Sequence, residues 1–143
     1  MKAFFPALLA FGCLLGINAA QAGETPAPEG AAAYIITPAD GAKVTSPVKV
    51  VFGLKGMGVA PAGVEKEHTG HHHLLIDTPM PQGEALDEPL PKDAQHLHFG
   101  KGETEAMVEL APGAHTLQLL LGDHNHIPHK QPVASKRITI TVE

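Results

Sequence analysis

The chain has 143 residues, of which ten are histidine and only one, Cys13, is cysteine, and its formal net charge is −5. An acidic balance excludes an extended basic surface for nucleic acid, and a single cysteine excludes a disulfide framework or a thiolate metal site. A chain of this length is expected to form one domain that buries its own core.

The first 22 residues have the layout of a secretory signal. One cation, Lys2, precedes an apolar run from Ala3 to Ile17, and the small-residue pattern Ala20-Gln21-Ala22 follows. We expect cleavage after Ala22, which also removes Cys13. The alternatives are an uncleaved anchor, for which the run is short, and a lipoprotein signal at Cys13. The expected location is periplasmic or secreted, with no stable membrane insertion after cleavage.

The segment that follows the signal, residues 23–31, is rich in proline and acidic residues and is predicted to be a flexible lead-in. The folded domain is predicted over residues 32–143. Short β-type runs alternate there with Pro- and Gly-rich turns, and no segment has a helical apolar stripe. Seven strands are predicted: Tyr34–Thr37, Val48–Leu54, His71–Asp77, His96–Phe99, Thr104–Leu110, His115–Leu121 and Lys136–Val142.

The alternation of apolar residues favours an all-β fold, an immunoglobulin-like antiparallel β-sandwich of about seven strands. Such strands bury one face each in a shared core. The residues predicted to be buried are Val50, Phe52, Leu117, Leu119, Leu121, Ile138 and Ile140.

The histidines are grouped rather than scattered. His71 with His73, and His96 with His98, are spaced by two, which places each pair on one face of a strand. A third group, His124, His126 and His129, lies in the last long connection. In an immunoglobulin-like path these three groups converge at one end of the sandwich. His115 falls at the opposite end, where we expect a packing or turn-capping role.

Neutral imidazole is a favoured ligand for copper and zinc, so the converging histidines predict a metal site. The expected ligands are His71, His73, His96, His98, His124, His126 and His129, and Asp123 is expected to accept a hydrogen bond from a ligating imidazole and so fix its tautomer. Copper is the first expectation in an oxidising, thiol-free compartment, and zinc is the second. The alternative is that these histidines only order loops through hydrogen bonds. His72 shares a strand face with Leu74, which favours packing over ligation.

Four segments resemble a known bacterial family of exported proteins built on a domain of unknown function. They are HHHLLID (71–77), HLHFGKGETEA (96–106), LAPGAHTLQLLLGDHNHIPH (110–129) and SKRITITV (135–142). Some members carry a label that links them with rod-shape determination. The resemblance covers about residues 33–142 and implies no established chemistry. The recurring positions of the family match His71–His73, His98, His115, Gly122-Asp123 and His126.

Three classes of function are consistent with these features. The first is a periplasmic metal-binding protein, a copper chaperone, scavenger or sensor, whose partner is the metal ion. The second is a copper or zinc enzyme, although no catalytic residue can be assigned. The third is an interaction module that binds an envelope component or another exported protein without metal. A sandwich fold alone does not distinguish them.

Overall fold

Gly23 and residues 25–143 are described by the computed structural model of the chain. The predicted signal sequence, residues 1–22, lies outside this described part. Across the described residues, no helix is both long enough and apolar enough to cross a membrane.

The described chain is built almost entirely from strands. They are β1 (Ala32–Thr37), β2 (Lys43–Val44), β3 (Val48–Lys55), β4 (Gly58–Val59), β5 (Thr69–Ile76), β6 (His96–His98), β7 (Glu105–Val108), β8 (Gly113–Gly122) and β9 (Ile138–Val142). All seven predicted strands are present. The two additional ones, β2 and β4, have two residues each, which is too short to produce a periodic pattern. A single 3-10 turn, Gly83–Asp87, interrupts the proline-rich connection between β5 and β6.

The strands form two sheets, in agreement with the predicted all-β sandwich. The small sheet has the order β1-β3-β7, and the large sheet has the order β2-β9-β8-β5-β4, with β6 also paired to β5. Most pairs are antiparallel, while β2 with β9 and β4 with β5 are parallel. Because β8 occupies one edge of β5, β4 and β6 share the other edge in succession. The strand that carries His96 and His98 therefore joins the sheet that carries His71 and His73.

The main core lies between the two sheets. It is formed by the inward side chains of β3 and β7 on one side and of β5, β8 and β9 on the other. Every residue predicted to be buried is buried, and five of them have no exposed surface: Val50, Leu117, Leu119, Leu121 and Ile140. The alternation of apolar and polar residues along these strands therefore predicted correctly which face of each strand packs against the other sheet.

Strand β5 is unusual because both of its faces are covered. Residues Gly70 to Ile76 are buried without interruption. Leu74 and Ile76 point into the main core, whereas Leu75 packs in a second small cluster with Leu90 and Leu120. This second cluster lies on the outer face of the large sheet, which the β5–β6 connection covers. His71 and His73 alternate with His72 and share the outer face with Leu75.

Candidate metal centre

Two strands supply three histidines to the outer face of the large sheet. In the antiparallel pairing of β5 with β6, His73 lies directly opposite His98. His71 is two residues before His73, so its side chain is on the same face. The ring centroids of His71 and His73 are 4.8 Å apart, and that of His98 is 5.0 Å from His71 and 5.1 Å from His73. The alternation of side chains along β5 and β6, together with the pairing of the two strands, therefore brings these three imidazoles together.

A fourth imidazole, that of His126, comes from the turn that follows β8. Its ring centroid is 4.7 Å from that of His98, 5.1 Å from His71 and 6.2 Å from His73. The backbone of His126 is in the left-handed region, with φ of 69°. A residue other than glycine adopts that conformation only where its surroundings enforce it. We refer to His71, His73, His98 and His126 as the histidine cluster.

The turn that carries His126 is ordered by the carboxylate of Asp123. One oxygen, Oδ1, accepts hydrogen bonds from the backbone N–H groups of Asn125 (2.8 Å) and Ile127 (3.0 Å). The backbone N–H of His126 donates to the carbonyl of Asp123 (2.9 Å), and the His126 carbonyl accepts from the N–H of Leu90 (2.9 Å). Asp123 therefore shapes the backbone of the turn, whereas the sequence suggested that it would orient an imidazole.

The cluster has the dimensions of a metal site. His71, His98 and His126 each offer a ring nitrogen, and these three nitrogens lie within 4.8 Å of one another. His71 and His73 are completely buried, whereas His98 and His126 are half-buried. One side of the cluster is thus enclosed by the sheet, and the other side is formed by the two imidazoles that keep some exposed surface.

The nitrogens of the cluster are not used by the rest of the described chain. Both nitrogens of His71, both nitrogens of His73 and Nε2 of His98 are buried and have no hydrogen-bond partner among the described residues. A buried polar group left without a partner costs about 1–3 kcal/mol. Native proteins keep few such groups, and here five are collected in one place. A bound metal ion would give several of them a ligand bond.

Burial keeps three imidazoles of the cluster, those of His71, His73 and His98, in the neutral form that a metal requires. Desolvation above all, together with the nearby His98 and His126 rings, lowers the pKa of the His71 imidazole to about 4. Desolvation likewise lowers the pKa of His73 to about 3, with contributions from His71 and His98. The pKa of His98 is also lowered, first by burial and then by His126. These rings are uncharged at neutral pH, and no proton has to leave them before they coordinate.

Two glycines provide the space that the imidazoles occupy. A Cβ at Gly122 would lie 2.7 Å from Cε1 of His73 and 3.3 Å from the backbone carbonyl carbon of His126. A Cβ at Gly100 would collide with the ring of His98, at 2.6 Å from its Nε2. No role was expected for these glycines from the sequence. The Gly-Asp-x-x-His pattern could have indicated one, because in it Gly122 leaves room for the ring of His73 and Asp123 holds the turn that carries His126.

The other histidines predicted as ligands have different partners. His96 shares the outer face with His98 but lies opposite Leu75, and its Nδ1 is 2.8 Å from Oδ1 of Asp93. His124 is next to the cluster in sequence, and its Nε2 is 2.9 Å from Nδ2 of Asn125. Nε2 of the buried His129 donates to the carbonyl of Thr69 at 3.2 Å, and burial lowers its pKa. The structure therefore brings together four of the seven proposed ligands.

The position of the cluster also differs from the expected one. The sequence placed the histidines on the rim at one end of the sandwich. In the structure the cluster is near that end, where β8 stops at Gly122, but on the outer face of the large sheet. The physical reason is the period of two: residues that alternate with the core residues Leu74 and Ile76 must point away from the small sheet. His72, on the inner face, packs against Phe52 with ring centroids 5.2 Å apart.

All four donors are imidazole nitrogens, which suit copper, zinc and nickel better than the oxygen-preferring magnesium and calcium. The residues present therefore fit a transition-metal ion.

Comparison with known proteins identifies the family of this chain, but no individual relative. No curated protein and no solved structure matches the chain. The family model of a domain of unknown function, DUF4399, matches residues 50–143, which include the whole histidine cluster and confirm the resemblance seen in the sequence. The chain belongs to this bacterial family of proteins that contain the DUF4399 domain.

Proposed function

We propose that this protein is an exported metal-binding module that holds one Cu(II) or Zn(II) ion in its histidine cluster. One observation carries the proposal: four imidazoles converge on a half-open site, and five of their buried nitrogens have no hydrogen-bond partner in the described chain. Hydrogen bonding alone gives no reason for such an arrangement, because each of these nitrogens is desolvated without compensation. Coordination would supply that compensation for one nitrogen of each ring.

Copper is the first choice of metal. Imidazole sites bind Cu(II) more tightly than the other divalent first-row metals, and Zn(II) accepts the same ligands in tetrahedral geometry. His71, His98 and His126 would form the primary set, since their nitrogens are mutually within 4.8 Å. His73 is the candidate for a fourth donor: its ring is about as far from His71 and His98 as they are from each other, but it is 6.2 Å from that of His126, so it would have to move toward His126 to bind the same ion.

The cellular role we propose is handling of the ion, as a chaperone, scavenger or sensor, in the periplasm or outside the cell. Two features support this. The first 22 residues resemble a secretory signal, and the remainder of the chain contains no cysteine, so oxidation or thiol capture would not interfere with a nitrogen site. The half-exposed His98 and His126 give the ion a route to and from a partner.

A copper or zinc enzyme is a second candidate, and one observation favours it. Catalytic metal sites commonly have three protein ligands and one position left for substrate. The triad of His71, His98 and His126, with its half-exposed side, has that composition if His73 stays unligated. The number of nitrogen ligands in the loaded protein distinguishes the two candidates: four favour storage or transfer, and three favour a position open to chemistry.

Metal binding by the untagged protein tests the proposal. We expect isothermal calorimetry with Cu(II) and with Zn(II) to give one site per chain and a Kd below about 1 μM. Electron paramagnetic resonance of the Cu(II) form should show hyperfine coupling to three or four nitrogens. Binding weaker than about 10 μM for both metals would remove the proposal and leave the metal-free interaction module in its place.

A further inference from the structure

The segment before β1 is tied down at the histidine cluster, although its composition predicted a flexible lead-in. The hydroxyl of Thr25 donates to Oδ2 of Asp123 at 2.7 Å. The carbonyl of Thr25 accepts from the backbone N–H of Lys130 at 3.0 Å. One residue of the lead-in therefore contacts both ends of the connection, residues 123–130, that presents His126. We call residues 25–30 the strap.

The contact with Asp123 reaches the part of the connection that fixes His126. Asp123 is buried, with 4% of its surface exposed, and its two carboxylate oxygens have separate partners. Oδ1 holds the N–H groups of Asn125 and Ile127, on either side of His126, and Oδ2 is held by Thr25. The Thr25 hydroxyl thus prevents the carboxylate from rotating away from the turn. A hydrogen bond to a carboxylate is stronger than one between neutral groups.

His126 is the donor that most needs this support. The other three members of the cluster are on strands, where the ladder of β5, β6 and β8 fixes their backbones. His126 lies in a turn, where Asp123 and the N–H of Leu90 hold its backbone, and its φ of 69° is a conformation that a histidine leaves readily when its surroundings relax. Any freedom gained by the turn in the metal-free state has to be lost again on binding, which lowers affinity.

We propose that Thr25 is a positioning residue for the metal site, and that the strap keeps His126 in the geometry for coordination. This inference rests on the proposed function. Its consequence is that metal affinity depends on a segment outside the family-matched region, residues 50–143. Thr25 acts by holding Asp123 and the turn that carries His126, since it is not itself one of the nitrogen donors.

Three variants test the proposal. Thr25→Val removes the hydroxyl and keeps the shape of the side chain, and Thr25→Ser restores a hydroxyl. Thr116→Val is the matched control, because the Thr116 hydroxyl also makes one side-chain hydrogen bond, from Nη2 of Arg137 at 2.9 Å, on the other half of β8. For Thr25→Val we expect Kd for Cu(II) to rise about 5- to 10-fold, the loss of roughly one charge-assisted hydrogen bond. Thr25→Ser should return it to within about twofold of the parent.

Amide exchange provides a second readout that does not depend on metal. In metal-free Thr25→Val, the amides of Asn125, His126 and Ile127 should exchange about tenfold faster than in Thr116→Val, because local opening of the turn costs less. The melting temperature of each variant shows whether the whole fold has changed.

The outcomes separate the two ideas. Failure of the parent protein to bind Cu(II) or Zn(II) overturns the proposed function, and this inference with it. Normal binding by the parent, together with equal affinities for Thr25→Val and Thr116→Val, overturns the strap inference alone. Faster exchange without a change in Kd also overturns it, because the strap would then order the turn without acting on the site.

Discussion

Two places in this molecule concentrate histidine chemistry, and they treat the imidazole ring in opposite ways. At the corner where β7 leads into β8, both nitrogens of His115 are bonded: Nδ1 to Oδ2 of Asp77 at 2.7 Å and Nε2 to the carbonyl of Ala111 at 2.8 Å. In the histidine cluster, five buried nitrogens have no such partner among the described residues. At the corner, the hydrogen bonds of one histidine join two segments of the chain. In the cluster, the nitrogens remain available to bind a metal ion.

The protonation states of the histidines at the two places also differ. The hydrogen bonds that His115 donates to the carboxylate of Asp77 and to the carbonyl of Ala111 raise its pKa, because they favour the cation that donates from both nitrogens. In the cluster, burial and mutual repulsion lower the pKa values of His71, His73 and His98. A recurring histidine can therefore have either role, and the partners of its nitrogens distinguish them.

His72 shows why unpartnered nitrogens alone are not sufficient. Both of its nitrogens are buried without a partner among the described residues, and desolvation lowers its pKa to about 4. Its ring, however, packs against Phe52 on the inner face of β5. A ligand site needs convergence of several donors as well as free nitrogens, and His72 has only the second property.

The largest expected effect on metal affinity comes from replacing one histidine with alanine in the cluster, with the same replacement at the corner as the comparison. His126→Ala should weaken Cu(II) binding by at least about 100-fold, because the primary triad loses a ligand. His115→Ala should leave Kd within about twofold and instead lower the free energy of unfolding by about 0.5–1.5 kcal/mol, since the imidazole's hydrogen bonds to Asp77 and Ala111 are lost while the half-exposed Asp77 carboxylate keeps the backbone N–H of Thr116. Calorimetry and urea unfolding of both variants measure the two effects. Comparable losses of affinity in both would mean that the distinction between the two places is wrong.

A smaller effect is expected from crowding the cluster without removing a donor. Gly122→Ala places a methyl group 2.7 Å from Cε1 of His73, so the ring must shift and affinity should fall about tenfold. Gly58→Ala is the matched control, because its added Cβ would meet Cγ2 of Thr69 at an ordinary 3.5 Å. A crystal structure or Cu(II) spectrum of Gly122→Ala should show altered coordination. An affinity equal to that of Gly58→Ala would show that the space at Gly122 does not matter.

Much of this arrangement could be predicted from the period of two along the strands. The alternation that buries Leu117 and Ile140 also places His71, His73 and His98 on a common face. The same argument could not select among His124, His126 and His129, because the turn after β8 is shaped by hydrogen bonds to Asp123 rather than by apolar periodicity.

Partners that are distant or in loops explain the other differences. His96 has the spacing of a ligand, but it lies two residues before His98, at the start of β6, where Asp93 is close enough to form a hydrogen bond with it. The lead-in is polar and lacks periodicity, and only the fold brings Thr25 to Asp123. Such contacts depend on tertiary proximity, about which local composition carries no information.

The last and smallest effect is the order in which the histidines of the metal-free protein titrate. Nuclear magnetic resonance of the ring protons should show His115 titrating above the ordinary value of 6.5, while His71 and His73 stay neutral down to about 4 and about 3. Asp77→Asn should bring His115 back toward 6.5 and leave His73 unchanged, because the bond to Asp77 is the main cause of the first shift and burial of the second.

These directions also fix how stability changes with pH. The raised pKa of His115 contributes stability that is complete below about 6.5, the unfolded value, and is lost as pH rises through the folded value. The lowered pKa values of His71 and His73 act in the opposite direction: their contribution is complete above about 6.5 and is lost as pH falls toward about 4 and about 3. Urea unfolding between pH 4 and 6.5 should therefore show a loss of stability on acidification that Cu(II) opposes. If His73 instead titrated near 6.5, its ring would be open to water, and the difference between the corner and the cluster would not exist in solution.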